Sequence, residues 1–123
     1  LFEVSVRGKF SAAHRLRGYQ GKCSRIHGHN WYVEVHLQSE RLSETGMVID
    51  FGELKGILNE VLEELDHRFI NETPPFDRIN PTSENMARWI FQQLRARISA
   101  LEGVRISKVT VQESEGVAAS YWE

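Results

Sequence analysis

His27-Gly28-His29-Asn30-Trp31-Tyr32-Val33-Glu34-Val35-His36-Leu37 alternates apolar and polar positions. Trp31, Val33, Val35 and Leu37 share one parity, which is the period-two signature of a half-buried strand. The same parity extends back through His29 and His27, so both imidazoles should project from one side of the extended chain. His36 has the opposite parity; it is assigned to the other face and given no role.

Upstream, Phe2, Val4, Val6, Phe10, Ala12 and His14 also share one parity, predicting a long strand with His14 near its end. Gly8 inside it is expected to mark a bulge or bend. Paired strands lie about 4.8 Å apart, so His14 can reach the point where His27 and His29 converge. Zinc accepts nitrogen ligands at about 2.0–2.1 Å, and three histidines with one exchangeable position form a catalytic geometry. Gly28 is expected to let the backbone pass closely behind the metal. Two alternatives stay open: ordinary histidines without a metal, and a closed structural site with the Cys23 thiolate as fourth ligand. The loop between His14 and His27 carries Arg15, Arg17, Lys22 and Arg25 and no acid, a sign that suits an anionic substrate such as a phosphate ester. An ordinary solvated loop would have the same composition.

Downstream, Asp50 with Glu53 three residues later reads as a helix start of the capping-box kind. Leu54, Ile57, Leu58, Val61, Leu62 and Leu65 repeat at helical spacing, and the helix should end near Asp66. Asn71 to Pro81 holds all three prolines and reads as a loop. Thr82 or Ser83 caps a second helix with Met86, Ile90, Leu94 and Ile98 on its inner face, and Gly103 ends or follows it. Val104–Glu113 and Val117–Trp122 form a closing hairpin around Glu115-Gly116. The order ββααββ defines an α+β domain: a four-stranded antiparallel sheet with two helices on one face. Such a sheet has two open edges, which association of copies would cover.

At 123 residues the chain allows one domain, taken as 1–123. Its hydrophobic fraction of 41% and charged fraction of 26% are those of a folded soluble protein. A net charge of −2 argues against a general nucleic-acid binder. No apolar run nears the ~20 residues of a membrane span, and no signal-peptide pattern is present. The chain starts at Leu1 without a methionine, as expected if a residue or more has been trimmed. The single Cys23 can form no internal disulfide, which fits a reducing cytoplasm.

Phe10-Ser-Ala-Ala-His14, Cys23-Ser-Arg-Ile-His27-Gly-His29-Asn30, Val48-Ile-Asp50-Phe51, Leu65-Asp66-His67, Asn80-Pro-Thr-Ser-Glu84 and Val111-Gln-Glu113 occur in that order along the chain. In these motifs the sequence resembles the 6-pyruvoyl-tetrahydropterin synthase family. The resemblance implies a T-fold subunit, three of which join their sheets into a barrel, with trimers commonly stacked as hexamers and active sites at subunit interfaces. It implies zinc on His14, His27 and His29, a catalytic Cys23, an Asp66-His67 acid/base pair and a pterin-anchoring Glu113. Arg25 and Thr82 are kept as candidate substrate contacts, although Thr82 reads first as a helix cap. The implied substrate is a dihydropterin triphosphate. Three residues separate Cys23 from His27. This short spacing is similar to that of the bacterial branch that makes 6-carboxy-5,6,7,8-tetrahydropterin, and the pyruvoyl-forming activity is the alternative. Without the resemblance, Asp66-His67 reads equally well as a helix C-terminal pair and Glu113 as a solvated strand end.

Overall fold

The computed structural model describes residues 1–123. Strands β1 (Phe2–His14) and β2 (His27–Ser39) precede helices α1 (Phe51–Glu63) and α2 (Ser83–Ile98), followed by β3 (Val104–Ser114) and β4 (Val117–Tyr121). The sheet order is β1-β2-β3-β4 with every pair antiparallel, so β1 and β4 are its edges. This is the expected ββααββ arrangement.

The inward parity of the strands meets both helices over one contiguous core. Val33, Val35, Leu37, Val109 and Val111 are fully buried against Leu54, Leu58, Val61, Met86, Ile90 and Leu94. Each such side chain contributes on the order of 1.5–3 kcal/mol by leaving water. Asp50 caps α1 by accepting from the Glu53 N–H at 3.1 Å, and Thr82 caps α2 by accepting from the Asn85 N–H at 3.1 Å. Each cap stabilises its helix by about 1 kcal/mol.

Two local expectations change. β1 and β2 pair in unbroken register from Phe2↔Ser39 to His14↔His27, so Gly8 marks no bulge. A Cβ at Gly8 would lie 2.9 Å from Leu62 Cδ1 and 3.1 Å from Leu58 Cδ2, so the glycine lets α1 approach the sheet. The register shifts instead within β3, at Ser107 against β2 and at Glu113 against β4. Lastly, regular α1 stops at Glu63 rather than near Asp66. Glu64 and Leu65 tighten into i→i+3 bonds to Val61 and Leu62, and His67 reverses the chain in the left-handed region at φ 57°.

The residues after that reversal fasten onto the outer edge of β1. The His67 N–H donates to the Ser11 carbonyl at 2.6 Å, and the Ala13 N–H donates to the Arg68 carbonyl at 3.1 Å. The upper part of β1's edge is therefore covered within the chain, while its lower part remains open. No helix of the structure is long and apolar enough to cross a membrane.

Candidate metal centre and acid/base pair

His14 and His27 face each other across the last rung of the β1–β2 ladder, and His29 stands one same-face step along β2. Their ring centroids lie 4.6 Å (His14–His27), 4.9 Å (His27–His29) and 5.7 Å (His14–His29) apart. Trp31, fully buried, makes the floor with edge contacts to His14 at 4.8 Å and His29 at 5.2 Å.

Two of the rings have their tautomers fixed by the backbone. His14 Nδ1 lies 2.7 Å from the Pro81 carbonyl, and His27 Nδ1 lies 2.7 Å from the Arg25 carbonyl. A carbonyl only accepts, so each Nδ1 carries the proton and each Nε2 presents a lone pair. The Nε2 atoms of His14, His27 and His29 are buried and have no hydrogen-bond partner. Burial, the largest influence, pushes the His14 imidazole below its ordinary pKa; the Pro81 carbonyl opposes this and does not overcome it. Neutral imidazole is the form that binds metals.

Glu113 completes the cluster. Its Oε1 lies 3.3 Å from His14 Nε2 and 3.1 Å from His29 Nε2. One ligand atom from each of His14, His27, His29 and Glu113 falls within 4.8 Å of all the others. At His14 an imidazole lone pair faces a carboxylate oxygen, an arrangement that needs a cation or an added proton between them. The cluster therefore fits a metal ion. The fourth group in reach is Glu113, whereas the closed-site reading required Cys23. Glu113 reaches this position because it shares the parity of Val109 and Val111 and sits at the bulge of β3, where a side chain can be re-aimed. Gly28 is not pressed by the protein around it: an added Cβ would meet only the Ala12 carbonyl at 3.8 Å.

Asp66 and His67 form a separate unit on the β1 edge. Asp66 Oδ1 accepts from the Ser11 N–H at 2.9 Å, and its Oδ2 lies 2.9 Å from His67 Nδ1. These two contacts, the Ser11 N–H first, hold the Asp66 carboxyl below its usual range. The anion fixes the proton on Nδ1 and leaves the lone pair on His67 Nε2, with the ring 82% exposed. A non-glycine residue held at positive φ beside such a pair is the kind of strain that gathers at functional sites.

The basic loop is only partly available to a ligand. Arg17 is not free, since its Nη2 donates to the Phe76 and Ile79 carbonyls at 2.8 and 2.9 Å. Arg15, Lys22 and Arg25 are exposed. Cys23 is half-buried in the 3₁₀ turn Lys22–Ser24, and its carbonyl accepts from the Leu16 N–H at 2.7 Å. Thr82 Oγ1 is engaged as the α2 cap and retains its own proton to donate.

Sequence reasoning gave no role to Asn71 or Asn80. The Asn71 amide accepts from the Arg15 N–H and donates to the Arg15 carbonyl, both at 2.9 Å. Asn80 treats Arg17 in the same way, at 2.9 and 3.2 Å. Two side chains thus replace the missing strand that would have satisfied this backbone, and they hold the loop leaving His14. Their placement in a proline-bearing loop between helices is the one sequence signal that could have singled them out.

An antiparallel α+β sheet with a three-histidine, one-carboxylate cluster at one end defines a class of metal-binding enzyme scaffold. The model of the 6-pyruvoyl tetrahydropterin synthase family matches residues 3–123, and the chain belongs to that family. It is 41% identical over 112 residues to a putative 6-carboxy-5,6,7,8-tetrahydropterin synthase of Archaeoglobus fulgidus, covering 91% of this chain and 88% of the relative. It is 42% identical over 103 residues to the 6-carboxy-5,6,7,8-tetrahydropterin synthase of a Synechocystis species, covering 79% and 78%. The solved structure of Caenorhabditis elegans 6-pyruvoyl tetrahydropterin synthase superposes with a TM-score of 0.87 at 31% identity, covering 99% of this chain and 95% of that one.

Proposed function

We propose that the protein is a zinc-dependent lyase that converts 7,8-dihydroneopterin triphosphate and water to 6-carboxy-5,6,7,8-tetrahydropterin, acetaldehyde and triphosphate, in a route to deazapurines such as queuosine. The observation that carries the reading is the convergence of three buried, unpartnered Nε2 atoms beside Glu113. The two named relatives above favour the carboxy-forming product over the pyruvoyl one.

His14, His27 and His29 hold the metal, with two rings oriented by the Pro81 and Arg25 carbonyls. Bound zinc would polarise a substrate oxygen and acidify the neighbouring C–H. Cys23 then removes that proton as a base. His67, its Nδ1 held by Asp66, exchanges a second proton at Nε2. Glu113 accepts the paired N–H donors of the pterin edge, a match that a carboxylate makes and a carboxamide does not. Arg25, exposed in the loop before His27, and the Thr82 hydroxyl contact the substrate. A reducing cytoplasm suits the free thiol.

The active site is shared between copies in a trimer or hexamer, with the zinc and Cys23 from one and Asp66-His67 from its neighbour. Asp66-His67 rides on the β1 edge. A cavity of about 400 Å³ lies at the opposite edge, lined by Glu113, Ser83, Glu84 and β4 residues. Joining the two edges would bring His67 of one copy to Glu113 of the next. Incubation with dihydroneopterin triphosphate and mass spectrometry of the pterin tests the reaction; a pyruvoyl product or no turnover would reject the carboxy assignment. Mixing Cys23→Ala with His67→Ala, refolding together and confirming mixed oligomers tests the sharing. About a quarter of wild-type activity should return by random pairing of independent sites, and none would return if each site lay within one chain.

A further inference from the structure

Glu113 stands between two surroundings. On one side its Oε1 lies 3.3 Å from His14 Nε2 and 3.1 Å from His29 Nε2. On the other it lines the cavity of about 400 Å³ that Ser83, Glu84 and residues 117–120 share. No arginine or lysine pairs with this half-buried carboxylate, and the two imidazoles are its only ion-pair partners.

Neither close approach is a hydrogen bond. The Pro81 carbonyl keeps the His14 proton on Nδ1, so Nε2 turns a lone pair toward the carboxylate. His29 Nε2 finds no hydrogen-bond partner either. One oxygen therefore meets two ring nitrogens that give it nothing. The spacing is instead that of ligands around one ion. Four atoms held at about 2.0–2.1 Å in a tetrahedron stand roughly 3.3–3.4 Å from one another.

We propose that Glu113 alternates between two partners: in the resting protein its Oε1 takes the fourth metal position beside His14, His27 and His29, and an arriving pterin ring draws the carboxylate away and opens that position. The inference rests on the pterin-binding reading above and adds to it a device that exposes the metal only when substrate is present.

Three arguments support the exchange. The proposed reaction needs one metal position for a substrate oxygen, and three histidines leave one. Glu113 stands where that position falls, so it must move before the chemistry begins. Charge makes the two roles compete, because an oxygen that shares its negative charge with a cation accepts N–H bonds less strongly than a free carboxylate. The backbone leaves the residue room to move. Gln112 pairs with Ala118 and Ser114 with Val117, while β2 pairs with β3 no further than Gln112, so Glu113 has no cross-strand partner.

The test uses two oxidised, unreactive probes on the full chain, metal-free and zinc-loaded. Pterin has the ring and no side chain; neopterin has the ring and side-chain hydroxyls. Pterin removes Glu113 from the metal and puts nothing in its place, so zinc should weaken pterin binding about 10-fold, and pterin should weaken zinc binding by the same factor. Neopterin brings a hydroxyl to the opened position and should escape this antagonism. Cobalt(II) in the zinc position reports its ligand set through its visible spectrum. Saturating pterin should move the wild-type cobalt spectrum to that of Glu113→Ala, a variant whose zinc dissociation constant should rise about 10-fold or more. Equal pterin affinity with and without zinc, a wild-type cobalt spectrum unmoved by pterin, or one identical to that of Glu113→Ala overturns the exchange. The wild-type titrations decide the matter even where the variant does not fold. Failure of pterin to bind either form rejects the ring contact and the exchange together. The product assay is separate: carboxy product without antagonism keeps the reaction and rejects the exchange, and antagonism without turnover of dihydroneopterin triphosphate does the reverse.

Discussion

Replacing His67 separates its chemistry from its backbone. An L-residue in the left-handed region costs about 1–2 kcal/mol, and His67 sits there at φ 57°. Glycine escapes that cost but gives up about 0.5–1 kcal/mol in chain entropy. His67→Gly and His67→Ala both lose the Asp66 contact, so that loss cancels when the two are compared. His67→Gly should therefore be more stable than His67→Ala by about 0.5–1 kcal/mol. Urea unfolding at equal protomer concentration, with unchanged slope, reads this difference. Turnover should fall by about 10²-fold or more in both, the scale of a lost acid/base group. An alanine variant as stable as the glycine variant would show that the backbone stores no strain. Near-normal turnover in either would remove His67 from the chemistry.

His29→Ala should lose most of its metal by elemental analysis, and full zinc occupancy would contradict the three-histidine site. Cys23→Ala should retain the metal yet lose turnover by about 10²-fold or more; loss of metal would make Cys23 a ligand after all. Glu113→Gln should keep zinc while weakening an unreactive pterin by about 1–3 kcal/mol in calorimetry, whereas lost zinc with unchanged pterin affinity would make Glu113 a ligand alone. The depressed Asp66 carboxyl stabilises the fold above the ordinary Asp pKa of about 3.9, and that stability is lost as pH falls through the lower folded value. Asp66→Asn should remove this share of the acid limb, and an unaltered acid-unfolding profile would show that the Ser11 and His67 contacts contribute nothing.

The sheet and the three histidines were legible because period two acts locally: one parity count aligns His27 and His29 with Trp31, and pairing brings His14 level with His27. Both helices were legible from their apolar stripes, and Asp50 and Thr82 from capping chemistry. Glu113 was named on resemblance, but its approach to His14 and His29 depends on a β3 bulge with no local marker. Gly8 was misread because close helix packing and a bulge favour the same residue. The charge of Arg17 was visible, whereas its capture by two carbonyls some sixty residues away, at sequence separations of 59 and 62, was not.

Asn71 and Asn80 make the site depend on two amides that lie outside the metal cluster. Each amide must donate to one carbonyl and accept from one N–H of the same residue. Hydrolysis to aspartate would erase the donor and turn a negative oxygen toward the carbonyl of Arg15 or Arg17. The neighbouring His14 would keep its own atoms intact while losing the anchorage of the chain that follows it. Asn71→Asp or Asn80→Asp should therefore lower metal affinity, even with every ligand and catalytic side chain chemically unchanged.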